Sequence, residues 1–140
     1  MVSQNLAWAL NLPSQGVLAI VGAGGKTTAM YVLARELVNR GQRVLCTTTT
    51  KIYRPHSYEA RLILKNNNPQ WLLRCQELAE SCEPLCLGAQ IKGSKVWGID
   101  PSVVNELALR GIFDWIIIEA DGARGRPLKA PANHEPVIPK

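Results

Sequence analysis

The feature that most constrains the fold of this chain is the stretch AIVGAGGKTTAMYVLARE at residues 19–36, where an apolar run breaks into a glycine-rich turn and resumes at helical spacing. The apolar run at residues 16–22 predicts a buried strand, and the apolar spacing at residues 26–40 predicts a helix that ends at Gly41. A β-branched run at residues 42–50 follows after a minimal turn and predicts a second strand. A strand, a helix and a strand in this order indicate a βαβ unit and favour a parallel sheet.

The rest of the chain continues the alternation of strands and helices. Further strands are predicted at residues 60–65, 84–91, 95–99 (a short strand or one arm of a hairpin) and 113–122, and further helices at residues 69–81 and 101–110. The last predicted helix has Asp100 as its N-cap and Pro101 as its first residue, and it ends at Gly111. Isoleucines at residues 116–118 are typical of a strand buried on both faces. We therefore predict a single α/β domain over residues 1–140, a three-layer P-loop NTPase-like fold with a mainly parallel central sheet.

Length, charge and hydropathy limit the classes of function. The chain has 140 residues, of which 46% are hydrophobic, and this is enough for one domain with its own core. The formal net charge is +5, but the basic residues are scattered and form no block interleaved with aromatic residues. This pattern favours small anionic ligands and indicates no nucleic-acid partner. No apolar run reaches the length of a membrane helix and no secretory signal is visible, so we predict a cytoplasmic protein with no membrane partner.

The four cysteines predict neither disulfides nor a metal centre. Cys82 and Cys86 have the spacing C-x3-C, but no second Cys or His pair completes a tetrahedral zinc site. Buried or half-buried free thiols are the favoured interpretation.

The glycine-rich turn carries the end of a phosphate-binding signature. Gly25, Lys26 and Thr27 match the last positions of G-x-x-x-x-G-K-[ST], although Ile20 stands where that pattern has its first glycine and this shorter loop starts at Gly22. A turn that leads into a helix presents unpaired N–H groups and the positive end of the helix dipole to an anion. We expect Lys26, as an exposed loop residue with a catalytic role, to contact the β- and γ-phosphates, and Thr27 to coordinate Mg²⁺. The predicted nucleotide-binding residues of this loop are Gly22, Ala23, Gly24, Gly25, Lys26, Thr27 and Thr28. The alternative is a glycine-rich β-to-α turn that binds no ligand.

A second, acidic element is expected at the end of another buried strand. Glu119 and Asp121 lie near the end of the predicted strand 113–122, at the same sheet edge as the glycine-rich turn. Because alternate residues of a strand face the same side, both carboxylates are candidate Mg²⁺ ligands and candidate catalytic residues that orient the attacking water. The alternative for either residue is to cap the turn at Gly122.

Hydroxyl and basic side chains follow the same two strands. Threonines occupy residues 47–50, and Thr48 is a candidate nucleotide-binding residue, with ordinary β-propensity as the alternative. Arg124, followed by Arg126 and Lys129, is a candidate catalytic residue that stabilises charge on a transferred phosphoryl group. The alternative for these cations is a solvated basic loop.

Three segments of the chain together resemble the YqeC family: VGAGGKTTAMYVLARELVNRGQRVLCTTTTKI, IIIEADGARGRPLKAP and HEPVIP. The resemblance is stronger outside residues 57–100, and it implies that Lys129, His134 and Glu135 belong to the signature tail of the family. Lys51 stands where a histidine is expected after the threonines. Members of the family usually continue beyond the C-terminal residue of this chain, so we expect a domain that is short at its C-terminus.

The resemblance implies a nucleoside-triphosphate-binding protein that assists the maturation of selenium-dependent molybdenum hydroxylases, with hydrolysis of the nucleotide. The implied cofactors are ATP (or another NTP) and Mg²⁺, and the implied partners are the nucleotide and a molybdenum hydroxylase client or its cofactor. ATP is favoured because the chain contains no N-K-x-D run, the usual guanine-reading element. Two alternatives stay open. One is a non-catalytic, nucleotide-gated chaperone that delivers a cofactor. The other is an ATP-dependent ligase or kinase-like enzyme on a small anionic substrate, since the short loop also resembles that of the Mur ligases.

Overall fold

The computed structural model describes residues 5–120 of the chain. In chain order its strands are β1 (Gly16–Ile20), β2 (Val44–Thr48), β3 (Lys51–Tyr53), β4 (Arg61–Leu64), β5 (Leu85–Gly88), β6 (Gln90–Lys92), β7 (Lys95–Trp97) and β8 (Trp115–Glu119). Its helices are α1 (Leu6–Ala9), α2 (Lys26–Asn39), α3 (Trp71–Leu78) and α4 (Pro101–Arg110), with a 3₁₀ turn at Lys65–Asn67. Strands and helices alternate along the chain, and the predicted α/β class is confirmed.

Five strands form one all-parallel sheet in the order β1-β8-β2-β5-β4. Strand β8 lies between β1 and β2, and its last residue, Glu119, is in register with Ile20 on one side and with Thr48 on the other. Parallel strands end at the same edge of a sheet. The loop after β1, the end of β8 and the threonines that end β2 therefore meet at one edge, as the sequence predicts.

Helices cover both faces of this sheet. On one face, α1 and α2 pack over the sheet, and Leu33 of α2 belongs to the same apolar cluster as Ile117. On the other face, Leu78 of α3 and Leu107 of α4 belong to a second cluster that contains Ile116. Successive residues of β8 thus enter opposite clusters, which is the alternation expected of a strand buried on both faces.

The main departure from the prediction is a small second sheet. Strands β3, β7 and β6 form an antiparallel sheet in that order. The predicted strand 42–50 therefore ends at Thr48, and the predicted strand 84–91 is interrupted at Ala89, whose N–H donates to a carbonyl oxygen of β7 at 2.8 Å. The hairpin arm expected at residues 95–99 is confirmed, because β7 pairs with β6.

Gly98 attaches this small sheet to the edge of the large one. A Cβ atom at Gly98 would lie 2.5 Å from the carbonyl oxygen of Thr48. The N–H of Gly98 donates to the carbonyl oxygen of Thr50 at 2.7 Å, and the N–H of Ile99 donates to that of Thr48 at 3.0 Å. Only a residue without a side chain lets two backbones approach this closely.

The remaining differences concern the ends of elements and one short helix. Helix α1 was not predicted, and α3 is shorter at both ends than the predicted helix 69–81. Strand β8 covers the middle of the predicted strand 113–122, whose last two residues lie outside the described part of the chain. None of the helices between residues 5 and 120 combines the length and the hydropathy that a membrane span requires.

Candidate functional site

The turn between β1 and α2 needs glycine for its backbone conformation. Gly22 has φ = 114°, and Gly25, the N-cap of α2, has φ = 91° and ψ = 0°. A Cβ atom at either position would meet no described atom within 4 Å. The left-handed conformation, and not a lack of space, therefore selects glycine at both positions. Among residues 5–120, no atom fills the space beside these two positions.

The N-terminus of α2 lies at this turn without a side-chain cap. Gly25 offers no side-chain acceptor, and the first turn of the helix contains no acidic residue. The carbonyl oxygen of Gly25 accepts the first helical hydrogen bond, from the N–H of Ala29 at 3.0 Å. The N–H groups of the first turn and the positive end of the helix dipole are therefore directed towards the glycine turn, an arrangement that suits an anion.

Lys26 is buried, contrary to the expectation of an exposed loop residue. Its side chain is 5% exposed, and its Nζ donates to the carbonyl oxygens of Gly22 at 2.7 Å and Ala23 at 3.2 Å. The ammonium group can be buried because two backbone carbonyl oxygens of the preceding turn accept its hydrogen bonds. The positive charge is held inside the loop, within a few ångströms of the helix N-terminus.

Thr27 and Glu119 connect the two predicted halves of the site. The Oγ1 atom of Thr27 donates to Oε2 of Glu119 at 2.5 Å, although the two residues are 92 positions apart in sequence. Glu119 is 5% exposed, and it ends the strand that lies directly beside β1. The structure thus places the acidic residue of β8 beside the first turn of α2, as the shared sheet edge predicts.

Thr48 fixes the backbone at the end of β8. It is fully buried, and its Oγ1 donates to the backbone carbonyl oxygen of Glu119 at 2.8 Å and accepts the N–H of Thr50 at 3.1 Å. Its neighbour Thr47 donates instead to the carbonyl oxygen of Leu87 at 2.6 Å. The threonine run therefore positions the strand end that carries the carboxylate.

A groove beside the loop is lined on one side by α1, a helix that the sequence pattern does not predict. It has a volume of about 710 Å³, and Gly25, Thr28 and Val32 line it from the α2 side while Asn5 and Leu6 line it from α1. Helix α1 is short, but Oδ1 of Asn5 accepts the N–H of Trp8 at 2.9 Å as an N-cap. An Asn before an apolar stretch is the one local signal that indicates such a helix.

Hydroxyl and carboxylate oxygens make this site suitable for Mg²⁺. Thr27 and Glu119 both offer hard oxygen donors, the type that Mg²⁺ prefers. Residues 5–120 contain no cluster of three or more His, Cys, Asp or Glu side chains that could form an all-protein metal site. A metal held here would take part of its shell from phosphate and water, which is the usual arrangement for Mg²⁺ in nucleotide sites.

Several predicted residues lie outside the described part of the chain. These are Asp121, Arg124, Arg126, Lys129, His134 and Glu135. Their predicted roles stay predictions.

The cysteines form no centre with this site. Cys46 and Cys86 are opposite each other on β2 and β5, and both are buried under α2. The hydroxyl of Tyr31 donates to Sγ of Cys86 at 3.6 Å, and burial raises the pKa of that thiol to about 12. Cys75 is buried as well, whereas Cys82 is exposed. The prediction of buried or half-buried thiols is therefore confirmed for Cys46, Cys75 and Cys86 and is wrong for Cys82.

Comparisons with known proteins agree with the resemblance seen in the sequence. The model of the YqeC protein family matches residues 18–140. An uncharacterized protein YqeC of Escherichia coli (strain K12) is 41% identical to this chain over 127 residues, which are 89% of this chain and 47% of that relative. The chain thus spans about half the length of the curated relative that it matches. No solved structure matches it. The extent of both matches, which include the glycine-rich turn and the end of β8, shows that the chain belongs to the YqeC family.

Proposed function

We propose that this chain is a P-loop protein that binds a Mg²⁺-nucleoside triphosphate at the turn between β1 and α2, with ATP as the favoured nucleotide. We further propose that it hydrolyses the nucleotide in the cytoplasm while assisting the maturation of selenium-dependent molybdenum hydroxylases. The geometry of the site supports the nucleotide-binding part. The maturation role is supported by the family resemblance alone.

One observation carries the nucleotide-binding part. The hydroxyl of Thr27, in the first turn of α2, contacts the carboxylate of Glu119 at 2.5 Å. Burial of a carboxylate is costly unless hydrogen bonds compensate it, and here a hydroxyl at a helix N-terminus supplies one of them. A hydroxyl, a carboxylate and an ammonium group around a glycine turn form the combination that binds a metal-phosphate unit.

Each side chain has a distinct part in this proposal. The N–H groups at the start of α2 bind phosphate oxygens, and Lys26 shifts its ammonium group from the loop carbonyls to the β- and γ-phosphates. Thr27 and Glu119 hold Mg²⁺, directly or through water. Mg²⁺, when bound, neutralises phosphate charge and orients the transferred group. Asp121 and Arg124, which lie outside the described residues, are proposed to orient water and to stabilise developing charge.

Two other functions use the same nucleotide site. A nucleotide-gated chaperone would bind ATP without turnover, and a ligase or kinase-like enzyme would turn ATP over only with a small anionic substrate. Phosphate release by the chain alone favours hydrolysis. Binding of ATP without phosphate release favours the chaperone, and release that needs a small molecule favours the ligase or kinase.

The test is calorimetric titration with ATP and with GTP, each in the presence and absence of Mg²⁺. We expect ATP to bind only with Mg²⁺, and Lys26→Ala to weaken binding by about tenfold or more, since a charge-assisted contact to phosphate is lost. Lys65→Ala on the 3₁₀ turn is the matched control and should bind as the wild type does. Unfolding curves of both variants verify that each is folded.

Binding that is insensitive to Lys26 contradicts the proposal, as does absence of binding by the folded wild type. The maturation role is tested separately. A selenium-dependent molybdenum hydroxylase should lose activity in cells whose only copy of this protein carries Lys26→Ala, and full activity there contradicts that role.

A further inference from the structure

The outward face of the small sheet combines lysines and aromatic residues that are scattered in sequence. On this face Lys51 of β3 is opposite Trp97 of β7. Two residues further along the strands, Tyr53 is opposite Lys95, which is opposite Lys92 of β6. Tyr53 is 63% exposed and Trp97 is 40% exposed. We call these five residues the basic-aromatic face.

The lysines of this face lie over its aromatic rings. The Nζ atom of Lys95 is 3.4 Å from the ring centre of Tyr53. The Nζ atoms of Lys92 and Lys51 are 4.1 Å and 5.9 Å from that of Trp97. Cation–π contacts of this kind hold the ammonium groups together on a small surface in spite of their repulsion. Within residues 5–120, none of the three lysines pairs with a carboxylate.

The opposite side of the same sheet packs on the core. Ile52 and Val96, which alternate with the residues of the face, are buried, and Ile91 packs against the same core cluster. A Cβ atom at Gly88 would collide with the side chain of Val96, so the small sheet lies directly on the end of β5. The lysines therefore project from a backbone that is fixed by the core.

The face is also joined to the candidate nucleotide site. Lys51 follows Thr50, whose N–H donates to the hydroxyl of Thr48, and Thr48 in turn donates to the backbone of Glu119. Trp97 precedes Gly98, which is hydrogen-bonded to the carbonyl oxygen of Thr50. A partner on this face would contact the sheet that borders the edge where β2 and β8 end.

We propose that the basic-aromatic face is a docking surface for an acidic segment of another protein. Three uncompensated ammonium groups are complementary to carboxylates, and the edges of Tyr53 and Trp97 supply apolar contact between them. A single-stranded nucleic acid would need free ring faces for base stacking, but lysines lie over both rings. Carboxylates pair with ammonium groups and need no free ring face. The inference is independent of the proposed nucleotide binding.

The experiment measures binding of a fluorescein-labelled oligo-glutamate peptide by anisotropy at low ionic strength, without nucleotide. The variant replaces Lys51, Lys92 and Lys95 together by Gln. The matched control replaces Arg40, Arg74 and Arg110, three exposed cations elsewhere, together by Gln, so both variants lose the same formal charge. We expect the lysine variant to bind the peptide about tenfold or more weakly than the wild type, and the arginine variant to lose no more than about twofold.

A second probe, labelled oligo-dT, separates the two classes of partner. Equal losses in the two variants would mean general attraction to a basic protein and would overturn the proposal. Tighter binding of oligo-dT than of oligo-glutamate, with loss in the lysine variant, would make the face a nucleic-acid surface and would also overturn it. Because the replaced side chains are on the surface, both variants should keep the circular dichroism of the wild type. If the lysine triple variant does not, the single variants Lys51→Gln and Lys92→Gln replace it in the same comparison.

Discussion

At the residue scale, the hydrogen bond between Thr27 and Glu119 has two separable consequences. It supplies a donor to a buried carboxylate, and it brings together the two oxygens that are proposed to hold Mg²⁺. Loss of this hydroxyl should therefore affect both the stability of the fold and the binding of a metal-nucleotide.

We predict that Thr27→Val lowers the free energy of unfolding by about 1–3 kcal/mol, because Glu119 loses a hydrogen-bond donor while it stays buried. The same variant should lose the Mg²⁺-dependent part of ATP binding. Urea unfolding measures the first effect and calorimetry the second. Thr27→Ser keeps the hydroxyl and is the control, which should unfold and bind as the wild type does. A Val variant that is as stable as the wild type and binds ATP with the same dependence on Mg²⁺ would contradict both effects.

The placement of the Lys26 side chain is a feature that the sequence pattern does not determine. The glycine turn, Lys26, Thr27 and Glu119 were predicted because each belongs to a local pattern of fixed spacing. The burial of Lys26 was not, because it depends on which acceptors its flexible side chain can reach, and these are the carbonyl oxygens of Gly22 and Ala23. Spacing predicts which residues lie near a site but not how a long side chain is placed there.

At the element scale, strands β2 and β8 are joined at their starts by an ion pair. The guanidinium of Arg43 contacts both carboxylate oxygens of Asp114 at 3.0 Å and 3.3 Å, and the N–H of Arg43 donates to Asp114 Oδ2 at 2.8 Å. The Arg43 side chain holds the pKa of the Asp114 carboxyl below its usual range. The pair is partly exposed, and this limits its contribution to stability.

We predict that Asp114→Asn lowers the free energy of unfolding by about 1 kcal/mol at neutral pH. The folded-state pKa of Asp114 is depressed, so its charge stabilises the fold above the unfolded-state pKa, near 4, and this stabilisation is lost as the pH falls through the folded-state value. The difference between wild type and variant should therefore shrink below about pH 4. Urea unfolding over a pH series measures it, and a difference that stays constant down to low pH would show that the charge of Asp114 plays no part.

The elements that the sequence did not predict share a physical cause. Helix α1 has only four residues, and it is held by the Glu36 carboxylate, which accepts the N–H groups of Leu6 and Ala7 at 3.1 Å and 2.8 Å. Strand β3 has three residues, and so does β6, which the predicted strand 84–91 does not separate from β5; three residues are too few for a periodic pattern. Longer elements such as α2 and β8 can be predicted from apolar spacing or from a continuous apolar run. The shortest elements form through contacts with distant parts of the chain, which the local sequence does not contain.

At the scale of the whole molecule, binding at the loop should be measurable as stability of the entire domain. The loop, β8 and β2 belong to one hydrogen-bonded sheet, and helices on both faces share its core. A ligand that binds only the folded form stabilises all of it by mass action. The site and the global unfolding transition are thereby coupled.

We predict that MgATP at about 100 times its Kd raises the free energy of unfolding by about 2.7 kcal/mol, which corresponds to an increase in Tm of roughly 8–11 °C for a chain of this size. Lys26→Ala should lower the Tm without ligand, because the loop loses the two hydrogen bonds of the ammonium group, and should abolish most of the increase with ligand. Differential scanning calorimetry measures both quantities, and Lys65→Ala should keep the full increase. The same increase in Lys26→Ala as in the wild type would place the nucleotide away from this loop, because a ligand held by the ammonium group cannot stabilise a variant that lacks it to the same extent.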